Sequence, residues 1–271
     1  MNPFRHLLLR AGHQQPLGTW LMSGSPIVAE ALGHAGFDWG VIDMEHAPLD
    51  LKDVVHLLQA VAGTRMVPVL RVPWNDAVVI KRVLDAGAQT LLVPFVQNAD
   101  EARRAVAATR YPPAGVRGMA GMTRATRYGT ITDYTQQADK GLAVIVQLES
   151  PQALDNLEAI AQVPGVDALF LGPADLSATM GLPGRSTHPS VTQALTDAVR
   201  RARALAKPVG IIGDTPEMVA QYRAAGFDFV AITCDIGLMM RAARSAIDAL
   251  HGRPTEQVHD LAGGTQDVPN R

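Results

Sequence analysis

The stretch VIDMEHAPLD (41–50) sets Asp43, Glu45 and His46 within four positions, directly after an apolar run. Other apolar runs end in the same way. MVPVL runs into Arg71, AVIVQLE ends on Gln147 and Glu149, FLGPAD leads through Gly172 and Ala174 to Asp175, and DFVAITC is followed by Asp235. An imidazole titrates near neutral pH and serves as a general base. A guanidinium is permanently charged and grips a planar carboxylate through paired N–H groups. Glu149 and Asp175 have no histidine or cysteine beside them and suit a hard divalent ion such as Mg²⁺ or Mn²⁺. Plainer roles fit the same residues. Glu149 and Asp175 also suit helix starts at ESPQAL and ADLSAT, or an acid–base pair. Arg71 also suits a structural ion pair at a rim, and His46 a structural role. Gln147 shares a strand face with Glu149 and is either a pocket residue or a satisfied interior amide. His13, His34, His56, His188, His251 and His259 have no comparable setting and read as structural.

Eight short runs are rich in Val, Ile and Leu: 17–22, 39–44, 66–72, 90–95, 143–149, 167–172, 208–213 and 228–234. They suit strands buried on both faces of a parallel sheet. The stretches between them show helical spacing, as in SPIVAEALGHAG, where Ile27, Val28, Ala31 and Leu32 share a face. Strands alternating with helices make either a closed barrel or a doubly wound sheet. LMSGSPIVAE, after the first run, lacks the dinucleotide glycine spacing, so no nucleotide cofactor is expected. Eight runs in 271 residues favour a (β/α)₈ TIM barrel. The resemblance of AGFDWGVIDME to AGFDFVAITCD points to repeated βα units. In such a barrel the active site lies at the carboxyl ends of the strands, which gathers the polar run ends on one rim. An imine mechanism needs a lysine there. Lys52 and Lys81 fall in helices, and Lys140 and Lys207 precede strands, so no Schiff-base lysine is expected and metal-assisted chemistry is favoured.

Balanced charge, 24 basic against 26 acidic side chains, argues against a nucleic-acid partner. The single cysteine, Cys234, permits no internal disulfide and suits a reducing cytoplasm. No run approaches the roughly 18 apolar residues of a membrane span, and three leucines near the start are too few for a signal core. The expectation is a cytoplasmic protein with one barrel domain, 1–250, and a polar tail, 251–271. One segment departs from the βα rhythm: 110–141, which carries Arg110, Arg117, Arg124 and Arg127. Long loops of this kind are usually functional or disordered.

GFDWGVIDMEHAPLD, PVLRVPWND, YPPAGVRG, QLESPQAL and FLGPADLSATMG together resemble the HpcH/HpaI aldolases, the class II pyruvate aldolases, from about Leu17 to about Leu250. The nearest branches act on 4-hydroxy-2-oxoheptanedioate and on 2-keto-3-deoxy sugar acids. The resemblance implies a phosphoenolpyruvate/pyruvate-type barrel. The implied reaction is reversible cleavage of 4-hydroxy-2-oxo acids to pyruvate, or a related 2-oxo acid such as hydroxypyruvate, and an aldehyde. Glu149 and Asp175 are then ligands of Mg²⁺, Mn²⁺ or Co²⁺. Arg71 stabilises the enolate, and His46 is the acid–base residue. Gln147, Gly172 and Ala174 contact substrate, and Asp43 and Glu45 hold waters around the ion. Asp85 matches an aspartate that raises the basicity of the histidine. It ends a helix, at the wrong end of its own barrel, and is therefore expected to act from a neighbouring subunit of a homo-oligomer, a trimer or hexamer with active sites near its interfaces.

Two other readings compete. An acyl-CoA lyase of the malyl- or citramalyl-CoA type would use the arginine-rich segment for CoA phosphates. A non-catalytic barrel would merely bind a small acid, at odds with so many matched polar residues.

Overall fold

A computed structural model describes residues 1–10 and 15–252. The 251–271 tail, apart from its first two residues, lies outside the described residues, as do His13 and His259. Eight strands form a closed parallel barrel in sequence order: β1 (Leu17–Leu21), β2 (Trp39–Asp43), β3 (Val67–Arg71), β4 (Thr90–Val93), β5 (Ala143–Leu148), β6 (Ala168–Leu171), β7 (Val209–Gly213) and β8 (Phe229–Cys234). Each coincides with one of the apolar runs to within two residues. The family resemblance and the strand count therefore agree on a (β/α)₈ barrel.

The helices start and stop where the sequence punctuates them. Ser25 caps Pro26–Ala35 by accepting from the Val28 N–H at 3.4 Å, and Gly36 closes it at φ 108°, a conformation that glycine adopts without steric penalty. Asp76 caps Ala77–Asp85 in the same way, through the Val79 N–H at 2.9 Å.

Two apolar layers hold the barrel. One, including Leu70, Leu91, Val144, Leu169 and Ile211, lies between strands and helices. The other fills the interior with Trp20, Trp39, Val41, Val69, Leu92, Ile145, Phe170, Phe229 and Ala231. Interior residues recur every second position. Trp39 and Val41 are therefore followed by Asp43, Val69 by Arg71, Ile145 by Gln147, and Phe170 by Gly172. A strand's period of two thus lifts the polar residues into a layer above an aromatic plug. The register pairs Asp43 with Arg71 across β2 and β3, and Gln147 with Phe170 across β5 and β6.

The helix Pro3–Arg10 seals the amino end. Phe4 is fully buried and meets Phe229 edge-on at 5.2 Å and Trp39 at 6.1 Å. Asn2 caps that helix through the Phe4 N–H at 2.9 Å, and its amide donates to the carbonyls of Gln89 and Gly141 at 2.9 and 3.0 Å. Sequence reading gave this segment no task. Among the described residues no helix is long and apolar enough to cross a membrane.

Candidate active site

At the carboxyl end a cavity of about 380 Å³ is lined by Trp20, Met22, His46, Arg71, Gln147, Phe170, Gly172, Ala174, Asp175 and residues at the ends of β7 and β8. Six of the expected site residues, His46, Arg71, Gln147, Gly172, Ala174 and Asp175, therefore face one space.

Arg71 is the best-organised group. Its Nε and Nη2 donate to Asp43 Oδ1 and Oδ2 at 2.8 and 2.7 Å, and Nη1 lies 2.9 Å from Glu45 Oε2. Burial alone would weaken the guanidinium's hold on its proton, but the bonds and charge of Asp43, with Glu45 behind them, raise its pKa on balance. A guanidinium has five N–H donors. Two are spent on Asp43, and Nη1 is paired with Glu45 without an aligned hydrogen bond, so N–H groups remain for a ligand. Arg71 is thus both of the things its sequence setting allowed, a rim ion pair and a cavity cation.

Asp43 underlies both Arg71 and the loop after β2. It is fully buried, and besides Arg71 its Oδ1 accepts the N–H groups of Glu45 and His46 at 3.0 and 3.4 Å. These bonds orient Arg71 and fold the loop that carries His46. Glu45 keeps partial exposure. Desolvation raises its pKa, with Arg71 opposing the shift. Its Oε2 is buried without an aligned hydrogen-bond partner in the protein. The His46 side chain is 56% exposed, with Nε2 4.0 Å from that same oxygen.

Glu149 follows β5 and is 1% exposed. Its Oε1 accepts the Phe95 N–H at 2.8 Å and its Oε2 accepts Gln147 Nε2 at 2.6 Å. Desolvation first, and then the nearby charge of Asp175, push its pKa up to about 7. Such a carboxylate calls for positive charge. Gly172 makes the room, because a Cβ there would lie 2.6 Å from Glu149 Oε2 and 2.9 Å from Gln147 Nε2. Its own N–H is bonded to Leu148 O at 3.2 Å, so its contribution is space. Gln147 Oε1 is buried with no hydrogen-bond partner in the protein, an orphaned acceptor beside the cavity. Among the described residues no three His, Cys, Asp or Glu side chains gather in metal-binding geometry. The donor set therefore fits a hard ion that completes its shell with water and substrate oxygens, and not a soft or fully caged one.

Ala174 and Asp175 stand in the first turn of Pro173–Thr179, where N–H groups lack intrahelical partners. Glu149 is no helix cap: Ser150 caps the next helix through the Ala153 N–H at 3.1 Å.

The structure does not bring Asp85 to His46. Asp85 ends Ala77–Asp85 and accepts from Arg117 Nη2 at 2.8 Å. Arg117 is 1% exposed and lies 4.6 Å above the Tyr111 ring. Arg124 and Arg127 line a separate cavity of about 560 Å³ with Gly87, Gln89 and Tyr134. The arginine-rich segment thus serves the amino end of its own chain and offers nothing to the catalytic mouth of the same chain. Asp235 also turns away, binding the N–H groups of Met22 and Ser23 at 3.0 Å each.

Sequence reading missed Phe95, whose main chain touches Glu149 but whose side chain carries no chemistry. It also missed Trp20 and Phe170, which the period of two would have placed in the cavity floor.

The family model for HpcH/HpaI aldolase/citrate lyase matches residues 17–242. A 2-dehydro-3,6-dideoxy-6-sulfogluconate aldolase of Pseudomonas putida is 51% identical over 88% of this chain and 93% of its own length. A 4-hydroxy-2-oxo-heptane-1,7-dioate aldolase of Salmonella dublin is 48% identical over 90% and 92%. The crystal structure of an HpcH/HpaI aldolase/citrate lyase family protein from Burkholderia cenocepacia J2315 superposes with a TM-score of 0.89, at 42% identity, covering 93% of this chain and 100% of that one. A barrel of eight parallel strands, a two-carboxylate rim and this degree of likeness converge, and the chain belongs to the HpcH/HpaI aldolase/citrate lyase family.

Proposed function

We propose that the chain is a metal-dependent aldolase that reversibly cleaves 4-hydroxy-2-oxo acids to pyruvate, or a related 2-oxo acid such as hydroxypyruvate, and an aldehyde. The observation that carries the reading is Glu149, a carboxylate buried beside Asp175 and directly behind Gly172, which lines the cavity that Arg71, His46 and Asp175 also face. Glu149 and Asp175 are the residues that would hold the ion, Mg²⁺, Mn²⁺ or Co²⁺. When bound, a divalent ion supplies a Lewis acid for the oxygens of the 2-oxo acid.

The remaining work belongs to the chain's own groups. The N–H groups of Arg71 that Asp43 does not take stabilise the negative charge that grows on the keto oxygen as the C3–C4 bond breaks. Because Asp43 and Glu45 already fix the guanidinium, little reorganisation is needed as that charge appears. His46, half in solvent, takes the proton of the C4 hydroxyl as the aldehyde forms, and a proton delivered to C3 by way of solvent water completes pyruvate. The Ala174 N–H and the Gln147 amide orient the acid. Asp43 and Glu45 hold waters around the ion, and Glu45 Oε2, which lacks an aligned partner in the protein, supports this for Glu45. Asp85 acts on His46 from a neighbouring copy of a homo-oligomer. The substrates are small molecules of the kind that the relatives' names describe.

The acyl-CoA alternative drew on the arginine-rich segment. With Arg117 buried and Arg124 and Arg127 at the far cavity, that support is gone from the single chain. The deciding experiment is turnover of 4-hydroxy-2-oxo acids beside malyl-CoA, with and without EDTA. The expected result is cleavage of the free acids alone, lost with the chelator and restored by Mg²⁺, Mn²⁺ or Co²⁺. Full turnover in excess EDTA would sink the reading. Exchange of pyruvate C3 protons with solvent separates it from a mere binding barrel, which should not accelerate exchange.

A further inference from the structure

We infer that Phe95 is a positioning residue for the carboxylate Glu149, held in that position by Trp74. The inference rests on the reading of Glu149 as an ion ligand and adds the device that fixes it.

Phe95 lies two residues beyond β4 with φ 54°. This is the left-handed region, which side chains with a Cβ avoid and where glycine is the usual occupant. Strained residues of this type concentrate where a backbone group must point in one direction. Here the strain has a visible product. It turns the Phe95 N–H onto Glu149 Oε1 at 2.8 Å, and the next N–H, that of Val96, onto Gln147 O at 3.1 Å. Two consecutive main-chain donors thus bind the chain leaving β4 to the part of β5 that carries Gln147 and Glu149. The other Glu149 oxygen is taken by Gln147. Between them the two bonds hold the carboxylate plane in one orientation against Gly172, whose missing Cβ leaves the space for it.

Trp74 explains why a phenylalanine occupies a glycine-like position. Its ring stacks on that of Phe95 with centroids 6.2 Å apart and planes 23° from parallel. It is nevertheless 57% exposed, so the core gains little from it. Trp74 comes from the loop three residues after Arg71. The stack therefore ties the loop behind the cavity cation to the loop that donates to Glu149. A glycine at 95 would adopt the same φ but would give Trp74 nothing to hold.

Hydrogen bonds to a charged acceptor are among the stronger ones, and groups that orient metal-binding residues typically matter by about 10–100-fold in metal affinity. The test reads Mn²⁺ binding to the full chain by electron paramagnetic resonance. Phenyllactic acid at position 95, introduced by nonsense suppression, replaces the amide N–H by an ester oxygen and leaves the ring in place. Its Mn²⁺ affinity is expected to fall about 10–100-fold. Trp74→Ala removes a half-exposed ring that the core does not need, and should weaken Mn²⁺ binding by roughly 2–10-fold, the range of an aromatic pair. Trp74→Phe, which keeps a stacking partner, should restore most of it, whereas a ring that merely covers surface would show no such rescue. Parent-like Mn²⁺ affinity in the ester variant would overturn the inference, as would equal affinities for Trp74→Ala and Trp74→Phe. A parent chain that binds no Mn²⁺, or an unaffected Glu149→Ala variant, would instead remove the ion-ligand reading, and the inference with it.

Discussion

At the carboxyl end of the barrel four carboxylates, Asp43, Glu45, Glu149 and Asp175, stand around one guanidinium, Arg71. At the amino end Arg117 is buried against Asp85, and Arg124 and Arg127 line a cavity that no carboxylate borders. The first end has anionic charge to spare and the second has cationic charge to spare, within a chain whose formal net charge is only −2. The difference teaches how far each deficit is met. Asp85 meets only Nη2 of Arg117, whose Nε and Nη1 are buried without a hydrogen-bond partner in the protein, and Arg124 donates to the carbonyl of Ala86 at 3.1 Å. Glu149 finds hydrogen bonds but no cation of its own, and its raised pKa registers the shortfall. Both ends bury charge that the protein does not fully answer: a carboxylate short of a cation at the mouth, and guanidinium N–H groups short of acceptors at the amino end.

The largest expected effect breaks the carboxyl end at its centre. Glu149→Ala should abolish stoichiometric Mn²⁺ binding and aldol turnover together, while the melting temperature holds or rises, because the change removes a buried carboxylate with no partner charge. Retained Mn²⁺ binding would show that the acid excess has another purpose. Next in size, His46→Ala should lower turnover by roughly 10²–10⁴-fold with little change in pyruvate affinity, because the ring is more than half exposed. Equal losses in both would place His46 in binding rather than proton transfer. The proposal that Asp85 acts on a neighbouring copy's His46 would join the two ends across a subunit boundary. Mixing inactive Asp85→Ala and His46→Ala subunits should regain activity in hybrid oligomers, and a mixture as inactive as its parts would confine Asp85 to its pair with Arg117.

Protons probe the same contrast. Glu149 holds its proton up to about pH 7 in the folded chain against an ordinary value of 4.5. Below that point ion and proton compete, so Mn²⁺ affinity should fall about tenfold per pH unit as pH drops below about 7. The metal-free chain should move the other way. A carboxylate whose folded pKa is raised favours the folded state as it protonates, so this group's contribution to stability rises as pH falls from about 7 towards 4.5. Calorimetric titration and urea melts across that window check the two slopes. Slopes of the same sign would contradict the assignment.

Much of the carboxyl end was legible because strands impose a period of two. Once Ile145 and Val41 are interior, Gln147 and Asp43 must be interior as well, and side-chain type supplies the chemistry. The eight strands were legible for the same reason, since parallel strands buried on both faces leave unbroken apolar runs. Function at Phe95 left no such mark. Its contribution is a main-chain N–H in an unusual conformation, and neither hydropathy nor side-chain chemistry reports a φ angle. Asp43 was legible as a rim acid but not as the partner of Arg71, because cross-strand register depends on barrel stagger and not on the order of residues. The arginines were misleading for a different reason. The segment 110–141 follows β4 and its helix, so its chain has already returned to the amino end before Arg117 appears, and proximity in sequence to charged residues of the mouth means nothing there.

The smallest effects concern that amino end. Arg117→Met removes a side chain that is 0% exposed from an acid that is 23% exposed. It should cost about 3 kcal/mol, the low end for breaking a buried pair, because Asp85 keeps some water. A urea melt measures it, and Asp85→Asn in the same background should recover part of the loss. Arg127→Ala is the sharpest control. Arg127 is exposed and enters no ion pair among the described residues, so stability should change by less than about 0.5 kcal/mol and Mn²⁺ affinity should stay at the parent value. A drop in Mn²⁺ affinity would mean that the two ends communicate through the barrel. If turnover alone fell, the amino end of one copy would be contributing to the mouth of its neighbour, as the Asp85 hybrids would then independently require.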